Sequence, residues 1–295
     1  MIPECDNSYH ERIDAKFIDV AICAGTPEWR GKRMVKFYKT VNTFDIPFIA
    51  LGVGEIGQFH YADEEEVIKR ASVLTFRSKR LANEAQKFGL TKALYLPCPA
   101  LLSVKANEEK NWRYNKSEIV VGFGFNIPRE YTVSHIGISR ETYDFSEKLF
   151  EEIIRTYRNS CRFVCICHYI DELPHAIKFF KKFGIDVVYS YDARDYGGIY
   201  SNIDVLVSSR VHGCGIAASL GIPSLGISHD ERGETIAGFL AEIVTPKDDI
   251  KLCLMKIANI LESLDQKHVA LIEHKRSTLK IYSELLIEKA PFLCN

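Results

Sequence analysis

Short apolar runs alternate with amphipathic stretches along most of this 295-residue chain, and that alternation narrows the fold more than any other feature. Residues 17–25 (FIDVAICAG), 47–54 (PFIALGVG), 72–78 (SVLTFRS) and 93–100 (ALYLPCPA) are short, mostly apolar and bounded for the most part by Gly or Pro. A strand without strict in-out alternation belongs in a parallel sheet covered on both faces. Between these runs, Lys32–Val41, Glu64–Arg70 and Lys79–Phe88 carry amphipathic helical spacing. The pattern predicts a parallel sheet whose crossovers are helices.

A charged stretch, KANEEKNWRYNKSE at 105–118, interrupts the alternation, which then resumes. Strands are expected at 119–125, 162–168, 185–189, 204–208 and 223–227, and helices at about 140–157, 171–182, 193–201 and 212–219. From Lys247 onward Ile250, Leu254, Ile257 and Leu261, then Leu271, Leu279, Tyr282 and Leu286, recur at helical spacing and predict terminal helices. The length suits two domains, placed at 1–110 and 111–295. The expected class is α/β, with two Rossmann-like doubly wound domains facing a cleft and ligands at the carboxyl ends of the strands.

Composition excludes some partners. A 46% hydrophobic and 26% charged chain has the balance of a soluble globular protein. A net charge of −1 gives no general electrostatic attraction to nucleic acid or to an anionic membrane. No window is apolar for long enough to span a bilayer, and MIPECDNSYHERIDAKF lacks the apolar core of a signal peptide, so a cytoplasmic location is expected. Nine cysteines, several within apolar runs, fit buried thiols better than a disulfide framework. In CRFVCICH, Cys165 and Cys167 share one strand face and His168 the other, a pattern of core packing; no metal is called for. A homo-oligomer is allowed by the sequence but not specified by it.

The chemistry concentrates in VLVSSRVHGCGIAASLGIPSLGISHDERGE, residues 205–234. Arg210 and His212 fall where a strand hands over to a helix. Gly213 and Gly215 in the first helical turn allow close approach to the backbone. With the positive end of the helix, Arg210 makes a seat for phosphate or carboxylate, and His212 can move a proton near neutral pH. The next strand ends at His229, Asp230, Glu231 and Arg232, beside the same expected cleft. Arg77 closes the strand SVLTFRS in the other domain, where it is expected to face Arg210. Two weaker exits remain: the glycine turn GVGEIG (52–57), which lacks a P-loop Lys-Ser/Thr, and ICAGTPEW (22–29), where Gly25 is placed to meet a ligand and Glu28 to act as cap or base.

VLTFRSKRLANEAQKFGL with YLPCPALL, followed by VVYSYDARDYGGIYSNIDVLVSSRVHGCGIAASLGIPSLGISHDERG, resembles the polysaccharide pyruvyl transferase family. The likeness runs from about Phe17 to about Phe239. It implies a GT-B-like fold, a first domain on the acceptor side and a second on the donor side. It also implies transfer of the pyruvate moiety of phosphoenolpyruvate to two hydroxyls of one sugar, with release of phosphate and no cofactor. On matching positions it implies donor-binding roles for Arg77 and Arg210 and acid/base work for His212, with Gly213, Asp230, Arg232 and Gly25 as further substrate-binding positions. Ser78 stands where the family usually has Asp. A G-N-x-G-D loop is missing before FIDVAICAG, so the amino-terminal domain is expected to be shortened. Two alternatives stay open: a GT-B glycosyltransferase using a sugar nucleotide, and a non-catalytic anion- or sugar-binding homologue.

Overall fold

A computed structural model describes residues 17–24, 35–54, 62–105, 118–132, 137–230 and 232–293. Its contacts divide the chain into two units: residues up to Pro99 together with those from Ser277, and Ala100–Arg276.

The first unit holds a parallel sheet in the order β1 (Ala21–Ala24), β2 (Phe48–Val53), β3 (Val73–Phe76), β4 (Ala93–Tyr95). Helices α1 (Val35–Thr43), α2 (Ala62–Arg70) and α3 (Lys79–Lys87) make the crossovers. Phe48, Ala50, Val67, Leu74, Phe76, Leu81 and Ala85 form one buried cluster on this sheet. Strand β4 is shorter than the apolar run 93–100 suggests, because Pro97 and Pro99 cannot donate to a ladder and a 3-10 turn takes over at Pro99–Leu102. The chain's last stretch also belongs here. Ala290, Leu285 and Leu286 pack with Ile49 and Val73, and the Tyr282 hydroxyl donates to the Pro97 carbonyl at 2.9 Å. Helical spacing announces an apolar face without saying which core it meets; hence the expected domain of 111–295 kept this segment, whereas the structure groups residues from Ser277 with the first sheet.

The second unit is a six-stranded, all-parallel sheet in the order β10-β9-β8-β5-β6-β7. Its strands are β5 (Ile119–Gly124), β6 (Cys161–Ile166), β7 (Asp186–Val188), β8 (Val205–Ser208), β9 (Ser224–Ile227) and β10 (Glu242–Val244). Between them run α4 (Arg140–Tyr157), α5 (Leu173–Phe180), α6 (Asp195–Ser201), α7 (Val211–Ser219) and α8 (Gly233–Ala237). Helices α9 (Ile250–Glu262) and α10 (Leu264–Lys289) follow, α10 running on into the first unit. Val121, Phe123, Leu149, Phe150, Cys165, Phe180, Val207 and Ile257 are among the buried residues of its core. Cys165 and Cys167 are fully buried free thiols of that core. Among the described residues no helix is long and apolar enough to cross a membrane.

Strand order fixes where a ligand belongs. From β5 the chain builds outward through β6 and β7, then returns to the other side of β5 to add β8, β9 and β10. The reversal lies between β5 and β8, and the crevice outside the carboxyl ends of those strands is where open α/β sheets bind ligands.

Candidate functional site

At the switch point, β5 ends at Gly124 and β8 ends at Ser208, and the two strands pair in register there. A Cβ at Gly124 would stand 2.1 Å from Ser208 Oγ, so the glycine admits that hydroxyl. Ser208 Oγ in turn accepts from the Arg210 backbone N–H at 2.9 Å and fixes the exit into α7. Arg210 takes the extended N-cap position of that helix, and His212 is exposed in its first turn.

Arg210 is held on several sides. Its Nε donates to the Phe125 carbonyl at 2.9 Å and its Nη2 to Asn126 Oδ1 at 3.2 Å. Nη2 is also ion-paired with Glu172, whose carboxylate is buried. Glu172 Oε2 accepts from the backbone N–H groups of His168 and Tyr169 at 2.8 and 3.1 Å, so one carboxylate secures both the end of the β6 segment and the guanidinium. The Tyr169 ring covers the guanidinium with its centroid 4.9 Å from Cζ. Burial pushes the Arg210 pKa down to about 10, which leaves it charged at neutral pH. Nη1 makes no hydrogen bond among the described residues. Arg210 is therefore a cation held on several sides and faced by the Glu172 carboxylate, with Nη1 outside those contacts.

A buried tyrosine lies below the helix terminus. Tyr200 is fully buried, its hydroxyl 2.8 Å from His168 Nε2, and a Cβ on Gly213 would come within 2.6 Å of that oxygen. The glycine expected to admit a ligand to the backbone thus makes room for Tyr200, and Gly215 likewise makes room for Ala100, 2.7 Å from its virtual Cβ. Burial lowers the His168 pKa to about 3, with the nearby charges of Arg210 and His212 acting in the same sense. His168 is neutral across the physiological range.

Asp230 and Arg232 engage each other at the exit of β9. Arg232 Nε donates to Asp230 Oδ2 at 2.8 Å, its backbone N–H to Oδ1 at 2.9 Å, and its Nη2 contacts His229 Nε2 at 2.8 Å. Burial raises the Asp230 carboxyl, but the Arg232 hydrogen bond and the charges of His229 and Arg232 outweigh it and hold the pKa below the usual range. Burial pushes His229 down, against the pull of Asp230.

In the first unit, Arg77 closes β3 just ahead of α3. Its backbone N–H donates to the Val53 carbonyl at 3.1 Å, and the residue is only 5% exposed. Nε is buried without a hydrogen-bond partner among the described residues. A buried guanidinium nitrogen without an acceptor is costly unless something anionic or polar completes it. Ser78, the position at variance with the resembled pattern, caps α3 by accepting from the Leu81 N–H at 3.2 Å. Gly25, Glu28 and Glu231 lie outside the described residues, as do positions 55–57 of the turn GVGEIG.

Glu172, Asn126, Tyr169 and Tyr200, which surround Arg210 and His168, are not singled out by the sequence. Asn126, Tyr169 and Glu172 follow the ends of β5 and β6, and Tyr200, in α6, meets His168 just beyond β6. The one available signal was position: HYIDE continues directly from β6 to the same end of the sheet as SSRVHG.

Two parallel Rossmann-like units make a GT-B-like fold. Three solved structures share that fold at low identity. UDP-GlcNAc 2-epimerase from Neisseria meningitidis bound to UDP-GlcNAc is 13% identical, with a TM-score of 0.55 over 92% of this chain and 76% of that one. S. aureus MnaA in its UDP co-structure is 13% identical, TM-score 0.60, covering 95% and 78%. A UDP-forming trehalose-phosphate synthase from Burkholderia xenovorans is 10% identical, TM-score 0.55, covering 96% and 76%. No curated protein matches the sequence at a significant level. The chain belongs to the polysaccharide pyruvyl transferase family, whose model matches residues 3–231.

Proposed function

We propose that the protein transfers the pyruvate moiety of phosphoenolpyruvate to a saccharide as a ketal, releasing phosphate. The observation that carries this reading is the placement of Ser209-Arg210-Val211-His212-Gly213 at the switch point of a chain of this family, with the arginine locked and the histidine exposed. Phosphoenolpyruvate carries a phosphate and a carboxylate, and Arg210 Nη1 with the first-turn N–H groups of α7 suits one of them. Arg77, a buried cation whose Nε has no partner among the described residues, suits an anionic group as well. Asp230, Arg232 and Gly25 are assigned to substrate contacts of lesser weight.

In the reaction His212 protonates the methylene carbon, which makes C2 electrophilic. A sugar hydroxyl adds to C2 and gives its proton back to the His212 imidazole. A second hydroxyl of the same sugar then displaces the phosphate from C2, its proton leaving with the departing inorganic phosphate. Positioned acid/base chemistry of this kind needs a group that titrates near neutrality, as imidazole does. Phosphate release from phosphoenolpyruvate in the presence of glycosides tests the reading. His212→Ala is expected to stop turnover while donor binding persists, and Arg210→Ala to lose donor binding; equal activity in both variants would remove the assignment.

A second reading is transfer from a sugar nucleotide. It is favoured by the fold likeness to proteins solved with UDP or UDP-GlcNAc, and the same helix terminus suits a diphosphate. A rise in melting temperature with UDP-sugars, and none with phosphoenolpyruvate, would select it.

A further inference from the structure

Tyr169 is not explained by the donor chemistry. It is 47% exposed at the carboxyl end of the β6 segment, and its neighbour Ile170 is exposed to the same extent. An aromatic side chain that served only to fill a core would be buried. Yet this ring is fixed: the guanidinium of Arg210 lies against it at 4.9 Å, Arg210 is pinned by Glu172, Phe125 and Asn126, and Glu172 also holds the Tyr169 backbone N–H. Pinning both the cation and the tyrosine backbone removes most of the ordering entropy that a ligand would otherwise have to supply.

The chemistry of the ring selects its ligand. The face of an aromatic ring is electron-rich, so it repels phosphate and carboxylate and attracts groups with a positive edge. A pyranose presents such an edge, a face of axial C–H bonds, while its hydroxyls point outward to water and to polar neighbours. We propose that the ring of Tyr169 is a stacking platform for a pyranose of the acceptor saccharide, next to the donor cation Arg210, so that the second unit supplies an acceptor contact as well as the donor contacts that the family resemblance implies for it. This deepens the reading of the site given above and rests on it. Arg210 then has two tasks: its edge meets the anionic donor and its face backs the ring that carries the acceptor.

Saturation-transfer NMR on the full chain tests the platform, with the methyl glycosides of glucose, galactose, mannose and N-acetylglucosamine and with UMP as probes. Transfer from protein to the ring C–H protons of at least one glycoside is expected. Tyr169→Phe should retain it, because the hydroxyl is not needed. Tyr169→Ala should weaken it by about fivefold or more, the scale of a single ring contact. Tyr169→Leu should weaken it equally while keeping an apolar cover over Arg210, which separates stacking from mere shielding of the ion pair. The proposal is overturned if no glycoside shows transfer to wild type, if the Ala or Leu variant binds as wild type does, or if the Tyr169-dependent signal belongs to the UMP base instead. Phosphate release from phosphoenolpyruvate is read in parallel. Tyr169-dependent glycoside binding without phosphate release would remove the donor assignment and leave the platform; phosphate release without Tyr169-dependent binding would do the reverse.

Discussion

Arg210 is ion-paired with Glu172 inside the second unit, an arrangement in which a carboxylate with 1% of its side chain exposed faces a guanidinium with 11% exposed. Removing one partner of such a pair leaves a buried charge unmatched, which typically costs ~3–5 kcal/mol. Glu172→Ala is therefore expected to lower unfolding stability by about that amount. Glu172→Gln, which retains an acceptor for the N–H groups of His168 and Tyr169, should lose less. Equilibrium urea denaturation of the three proteins checks the order. A Glu172→Ala variant as stable as wild type would mean that the pair contributes nothing to holding the site.

Gly213 gives a second expectation, because its missing side chain is what admits the Tyr200 hydroxyl. A methyl group there would stand 2.6 Å from that oxygen, closer than a van der Waals contact permits. Gly213→Ala should destabilise by about 1–3 kcal/mol, the usual range for overpacking, despite the better helix propensity of alanine. In a Tyr200→Phe background the clash is relieved, so the two substitutions should be less damaging together than their separate effects predict. A double-mutant cycle read by denaturant melts measures this coupling, and strict additivity would contradict the geometry.

Much of this architecture was legible in the chain, for identifiable reasons. Strands β5, β8 and β9 announce themselves because they are largely buried and read as short apolar runs, and β6 does so despite the exposed Arg162 within it. Strand β10 and helix α8 did not, being three and five residues long, too short for any periodicity to register. The contacts group the end of the chain with the first unit, which the spacing cannot announce because Tyr282 and Leu286 show helical periodicity whichever sheet they cover. Arg210 and His212 were visible from their place at a strand-helix junction. Glu172 was not, since a carboxylate in the first turn of a helix carries no mark of its partner until the sheet order brings β6 and β8 to either side of β5. The Arg77 guanidinium was expected from sequence, but its burial and its unmatched Nε come only from the packing of the first unit.

His168 makes stability depend on pH in a definite direction. Its pKa falls from 6.5 to about 3 on folding, chiefly through burial, so between those values the unfolded chain binds a proton that the native protein does not. Stability therefore rises with pH through this window and is progressively lost as pH drops below about 6.5, with a slope of at most ~1.4 kcal/mol per pH unit from this one group. Above pH 7 the group contributes no pH dependence. Urea melts of wild type and His168→Gln from about pH 7.5 to about pH 4, which span the upper part of that window, should show a shallower acid loss in the variant. Parallel curves would place the acid sensitivity elsewhere.

Arg77 yields the most direct test of an anion seat in the first unit. Arg77 Nε has no acceptor among the described residues; a buried guanidinium nitrogen left so destabilises the free protein, and an anion that completes it stabilises the native state by mass action. Arg77→Met replaces the cation with an apolar chain of similar length, so the variant should melt at or above the wild-type temperature when no anion is present. Adding phosphoenolpyruvate should raise the wild-type melting temperature with increasing concentration. At a hundredfold excess over the dissociation constant, single-site linkage gives about 2.7 kcal/mol. Met at this position should abolish most of that rise while leaving any part due to Arg210 in place. Differential scanning fluorimetry across a phosphoenolpyruvate series, with sodium chloride at matched ionic strength as the control, reads both effects. A variant that melts lower than wild type without ligand and still responds fully to phosphoenolpyruvate would show that Arg77 serves the packing of β3 and α3 instead of an anion.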